Sequence, residues 1–136
     1  MATGTALTEQ EIWRLQHFDT TSNTGNAVDS WDSNNDGEAN LLEFATGQNP
    51  LANSRATPVL VPNGTTLEFT YTRANAALAA GMAFTVEWSD TLASGSWTNA
   101  GVIQQVLTDN GTTQSVKASI AAGSHRRFLR LKVSTP

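Results

Sequence analysis

At about residue 57 the spacing of apolar side chains changes from helical to strictly alternating, and this switch constrains the chain more than any other feature. Downstream of it, Leu67, Phe69 and Tyr71 alternate with Glu68, Thr70 and Thr72, and Met82, Phe84, Val86 and Trp88 alternate with Ala83, Thr85, Glu87 and Ser89. Successive strand side chains point to opposite faces, so each run has one apolar and one polar face, the pattern of a half-buried strand. Weaker runs follow at 102–107, 114–120 and 127–133, where Val116, Ala118 and Ile120, then Leu129, Leu131 and Val133, share a face. Asn63-Gly64 and Asn110-Gly111 fall where tight hairpin turns would need positive φ. Five to seven short strands of this spacing predict a mainly β chain, an antiparallel β-sandwich over 57–136.

Residues 1–50 read as a helical segment. Thr8 and Glu11 have the spacing of a capping box, which starts a helix near residue 9. Ile12, Leu15 and Phe18, with Trp13 beside them, would be its apolar face, and the Thr, Ser, Asn and Gly run over 20–26 should end it near Phe18. One more turn is expected over 27–31. A second helix over 40–46 contains Leu41, Leu42, Phe44 and Ala45 and stops at Gly47, with Pro50 beyond. So short a segment cannot hold a core alone. Phe18, Trp31, Leu42 and Phe44 should therefore pack on the sandwich, making one structural unit.

Between these helices, residues 32–43 place oxygen-bearing side chains at every second position. Asp32, Asn34 and Asp36 come first, Gly37 permits a sharp turn, the carbonyl of Glu38 would face inward, Asn40 stands where a ligand or water-holder is needed, and Glu43 closes the set. Ca²⁺ takes six to eight hard oxygen ligands, and a tight loop can supply them only with this spacing. The order matches the specified positions of an EF-hand-like calcium loop. A polar surface turn would explain the composition but not the offsets. The donors are all oxygen, which favours Ca²⁺ over Zn²⁺ or copper.

Charge points the same way. The chain has 12 acidic and 8 basic residues, a formal net charge of −4, which argues against nucleic-acid binding and against attraction to an anionic membrane. From Arg14 to Arg55 no Lys or Arg intervenes, while Asp19, Asp29, Asp32, Asp36, Glu38 and Glu43 all lie there. A cation would neutralise that block. Lys117, Arg126, Arg127, Arg130 and Lys132 read as ordinary strand-surface charge. There is no cysteine and no apolar run long enough to span a membrane. The start, Met-Ala-Thr-Gly-Thr-Ala-Leu-Thr, lacks the features of a signal peptide and reads as a cut inside a longer protein.

The order of several motifs resembles a C-terminal domain of large secreted proteins in planctomycete- and verrucomicrobia-type bacteria. The resemblance rests on Trp13-Arg14, His17-Phe18, Thr24-Gly25-Asn26-Ala27, the 29–43 loop, Leu41 to Pro50, Phe84 to Leu92 with Trp97, and Arg127-Phe128-Leu129-Arg130-Leu131. It implies a non-catalytic, calcium-binding module, secreted or at the cell surface, whose partners are other domains of a parent protein or a surface component. Two positions depart from the family pattern: Asp19 stands where Gly is usual, and Asn34-Asn35 replaces a more acidic step, which should weaken Ca²⁺ affinity. The loop alone is also similar to half of a dockerin, but dockerins carry two such loops.

An enzyme needs a nucleophile with a base, a carboxylate pair in a cleft, or an open metal position. His17 and His125 are the only histidines; His17 adjoins Phe18 and reads as a packing residue, and Ser124-His125 are adjacent in a turn, a poor start for a triad. No catalytic residue is expected. The alternatives are a carbohydrate-binding module, with Trp97 in a small-residue loop as the sugar-stacking residue, and a dockerin-like protein-docking module.

Overall fold

The computed structural model describes residues 6–53, 55, 57–123 and 126–136, so the Ser124-His125 turn lies outside the described residues. Helix α1 spans Glu9–Phe18, a 3₁₀ turn Gly25–Ala27 and helix α2 Asn40–Thr46. The strands are β1 Val59–Asn63, β2 Thr66–Ala74, β3 Ala83–Ser89, β4 Ile103–Asp109, β5 Thr113–Ala121 and β6 Phe128–Ser134, with a short helix α3, Asn75–Ala79, between β2 and β3. The chain is mostly β, in antiparallel sheets with a few helices.

Four strands form one sheet in the order β1-β2-β5-β4, and β3 pairs with β6 in a second. Both hairpins anticipated at Asn-Gly sites are present. Gly64 (φ 62°) turns β1 into β2, and Gly111 (φ 89°) turns β4 into β5. At the second, Asn110 Oδ1 accepts from the N–H groups of Thr112 and Thr113, so the side chain closes the turn.

The register sets the inner face. Phe69 pairs with Ala118 and Tyr71 with Val116, and all four are buried. Phe84 and Val86 of β3 join them in one cluster with Phe44 and Ala45 of α2, Ala77 of α3 and Met82. The Tyr71 and Phe84 rings stack with centroids 6.3 Å apart. Gln104 of β4 crosses between the sheets, accepting from Tyr71 Oη and donating from Nε2 to the Phe84 carbonyl at 3.1 Å.

Several expectations need correction. Helix α3 interrupts what reads as a link between two strands, because Ala-rich 75–79 buries Ala77 against the core. Met82 precedes β3 rather than opening it. A 3₁₀ turn forms over 25–27, ahead of the expected turn, which is a hydrogen-bonded turn with Trp31 N–H donating to the Val28 carbonyl at 3.0 Å rather than a turn of helix. Ile12 and Leu15 are 46% and 45% exposed. Helix α1 instead docks through Gln10, Trp13, Arg14 and His17, a stripe at i, i+3, i+4 and i+7. Trp13 meets Phe44 edge-on at 5.8 Å, and His17 meets Trp13 at 5.1 Å. Trp31 is 49% exposed rather than packed on the sheets. Trp88 is only half-buried, with the Arg127 guanidinium 4.1 Å above its ring.

Candidate metal centre

The loop from Val28 to Ala39 is irregular and depends on side chains for its shape. Asp32 accepts through Oδ1 from the Asp36 N–H (3.2 Å) and through Oδ2 from the Gly37 N–H (2.9 Å). Asn34 Oδ1 accepts from Asp36 N–H at 3.3 Å, and Asp36 Oδ1 from Glu38 N–H at 2.8 Å. These four oxygens are thus each held by an amide two to five residues ahead, as in an Asx turn. Two positions need positive φ: Gly37 at 90°, where glycine is at ease, and Asn35 at 56°, a conformation asparagine tolerates.

Helix α2 supplies the last ligand position. Ala39, its N-cap, gives no side-chain bond, so the loop itself satisfies the first N–H groups: Asn40 donates to the Trp31 carbonyl (2.8 Å) and Leu41 to that of Asp29 (3.0 Å). Asn40 Nδ2 adds bonds to the carbonyls of Asn26 and Val28, both 2.9 Å. These contacts fix the helix start. Glu43, one turn further on, is therefore aimed back into the loop while Phe44 enters the core.

Asp32, Asp36 and Glu43 bring carboxylate oxygens within 4.8 Å of one another. Glu43 is fully buried, and neither of its carboxylate oxygens has a hydrogen-bond partner; Asp36 Oδ2 and Asn40 Oδ1 are likewise buried without one. Burying such groups without compensation costs about 1–3 kcal/mol each, and more when they are charged. Burial raises the Glu43 pKa to about 7, with smaller contributions from the negative charges of Asp36, Glu38 and Asp32. Among these hard oxygens, both of Glu43, Asp36 Oδ2 and Asn40 Oδ1 are buried and lack partners, which fits a cation and not an apolar contact.

The remaining candidates divide. Asn34 and Asn40 spend their amide nitrogens on backbone carbonyls, Asn34 on Ala52 and Asn40 as above, which leaves their Oδ1 atoms as the groups able to face an ion. Glu38 is buried and enters the loop through its N–H bond to Asp36. On the entry side no α-helix adjoins the loop; the 3₁₀ turn and a bend over 28–30 take its place. Trp97 is half-buried, and Arg130 lies 4.1 Å over its ring while bonding Glu87 at 2.9 Å, so one of the faces a sugar would need is taken.

One contributor was not singled out from the sequence. Arg14, 7% exposed, donates to Asp29 Oδ1 at 3.1 Å and to the Thr21 carbonyl, and Gln10 and Asn23 also bond Asp29. Asp29 in turn receives Leu41 N–H on its carbonyl. The network ties α1 to the start of α2. Only the lone arginine ahead of an acidic block hinted at it.

Compared with protein-family models, curated proteins and solved structures, the chain matches none. Among the described residues, no helix is long and apolar enough to cross a membrane.

Proposed function

We propose that the chain is a non-catalytic, calcium-binding structural and interaction module of a larger secreted or cell-surface protein, of the bacterial kind its motifs resemble. The observation that carries this reading is the buried Glu43 carboxylate, without a partner on either oxygen, facing Asp32 and Asp36. Asp32, Asn34, Asp36, Glu38 through its carbonyl, Asn40 and Glu43 would hold the ion. Bound there, Ca²⁺ neutralises the acidic block and anchors the start of α2, in the manner of an EF-hand-like loop. Helix α2 then holds the N-terminal segment on two sheets that pack as a β-sandwich. The arrangement supports an architectural role: the Glu43 carboxylate and Asn40 Oδ1 are enclosed where α2 starts, so an ion held there would tie the loop to the helix.

With a dissociation constant on the order of 10⁻⁵ to 10⁻⁴ M, millimolar extracellular Ca²⁺ would add about 1.5 to 3 kcal/mol of stability. A thermal melt in EGTA and across a Ca²⁺ titration tests this, with Mg²⁺ at equal concentration as the control. A saturable upward shift with Ca²⁺ and little with Mg²⁺ is expected, and Asp36→Ala should erase it. An unchanged calcium shift in that variant would refute the assignment.

A further inference from the structure

Among the described residues the larger sheet has two outer edges and the smaller sheet two, of which that of β3 is closed in part by an isolated bridge from Trp88 to Thr98 and by the Gln104 amide on the Phe84 carbonyl. β1 and β4 are the outer strands of the larger sheet, and β6 bonds only β3 among the described residues. Two of these edges carry features that discourage further pairing. β1 contains Pro62, which has no N–H to give, and β4 has an irregularity between Val106 and Thr108. β6 has neither: all seven residues, Phe128–Ser134, pair with β3 in unbroken register.

A groove of about 350 Å³ runs along that edge, lined by Leu131 and Val133 of β6 and by Ala39, Leu41 and Leu42 at the start of α2, with Asp29 at its rim. No β3 residue lines it, so it lies on the open side of β6. Beside it, a second cleft joins Leu131 to Val59 and Thr70, which sets β6 across from the β1 end of the larger sheet. There the smaller sheet runs out: Leu60 shares the inner face with its partner Phe69 yet is 44% exposed. Along β6, Leu129, Leu131 and Val133 face inward with Trp88, Val86 and Phe84, so Arg130 and Lys132 face outward. Arg130 is paired with Glu87; Lys132 has no ion pair among the described residues.

From this geometry we infer that β6 accepts an extended segment of a partner protein as a third strand of the smaller sheet. The segment has apolar residues at alternate positions and acidic residues between them. Main-chain bonds to β6 give such a strand its affinity, and alternate side chains give it specificity. The apolar residues enter the groove and cover Leu60, while the acidic ones lie on the face of Arg130 and Lys132. A second copy of the chain is a poorer occupant, because in any register β6 has no carboxylate to set against Lys132. The position of the α2 wall, through Glu43, rests on the calcium reading; the open edge of β6 does not.

The probe is a synthetic nine-residue peptide of alternating Val and Glu, added to the whole isotope-labelled chain, with amide exchange followed residue by residue. At about ten times the peptide's dissociation constant, the outward N–H groups of β6 should exchange about tenfold more slowly. The same peptide with alternate backbone nitrogens methylated should lose this effect, since it cannot form the ladder. Lys132→Glu, at an exposed position, should weaken the Val-Glu peptide about fivefold and favour a Val-Lys one. Protection in both calcium and EGTA would support the strand site and place any failure on the calcium reading. No protection in calcium from a chain whose calcium melt is normal would overturn the strand site alone. Equal binding by the methylated peptide would also overturn it, as would β6 protection that needs only a higher concentration of the chain itself.

Discussion

Glu43→Gln gives opposite outcomes with and without calcium. The Glu43 carboxyl titrates near pH 7 in the folded chain against 4.5 for the free group, chiefly because it is buried. Between those values the folded chain keeps a proton that the unfolded chain has released, so in EGTA stability falls as pH rises from about 4.5 to 7. At pH 8 the deficit is about 3 kcal/mol, from about 1.4 kcal/mol for each pH unit of displacement. Glutamine has nearly the same shape and no charge, and its amide can donate to the facing carboxylates of Asp32 and Asp36. In EGTA at pH 8 the variant should therefore be more stable than the parent by about 2 kcal/mol, or roughly 5 to 10 °C in midpoint for a domain of this size. Between pH 6.5 and 8 its midpoint should lose the fall with rising pH that the parent shows, and Ca²⁺ should no longer raise it. Calorimetry in EGTA and in millimolar Ca²⁺, at several pH values, measures all three quantities. A variant less stable than the parent in EGTA at pH 8 would mean that Glu43 is not a buried charge awaiting a cation, and the argument from its missing partners would fail.

Other perturbations have defined outcomes. Arg14→Ala should cost about 2–4 kcal/mol by urea unfolding, because it strips the buried partner of Asp29, and a loss under 0.5 kcal/mol would show that the network does not hold α1. Burial lowers the His17 pKa, so below about pH 6.5 the unfolded chain binds more protons and stability declines as pH falls; His17→Phe should remove that part of the acid sensitivity. Gly47 has φ 79°, and a Cβ there would stand 2.9 Å from Thr113 Cγ2, so Gly47→Ala should cost about 1–3 kcal/mol. Trp97→Ala should leave the calcium shift intact and reveal no sugar affinity on a glycan array; a glycan bound by the parent and lost in this variant would restore the carbohydrate reading.

What the sequence made legible was local. The candidate metal-binding residues fall within twelve positions, so their spacing alone identified the three acidic groups that converge, and the capping box placed α1 at its observed start. Strand faces followed from alternation, because Phe69, Tyr71, Val116 and Ala118 obey the period of two. Pairing did not, since a period says which side chains face inward and nothing about which strand lies alongside. β2 finds β5 with partners from 39 residues apart (Ala74 and Thr113) to 55 apart (Thr66 and Ala121), and α3 separates β2 from β3. The docking face of α1 was misread for another reason. Its docking stripe includes half-buried Gln10 and buried Arg14, polar residues that both bond Asp29, and no hydrophobic pattern can announce a partner 15 residues from Arg14. Trp31 failed in the opposite sense: a large apolar side chain stands half in solvent beside an acidic loop.

Gln104 acts as a key between the sheets. Its strand is exposed along its whole length and buries little apolar surface of its own, yet its amide is the polar link from Tyr71 to the Phe84 carbonyl. Sliding one sheet past the other by a residue breaks both bonds at once and leaves a tyrosine hydroxyl and a carbonyl stranded in an apolar layer. A peripheral strand thus fixes the shear of the interior, and peeling β4 away would loosen a core that β4 scarcely contributes to.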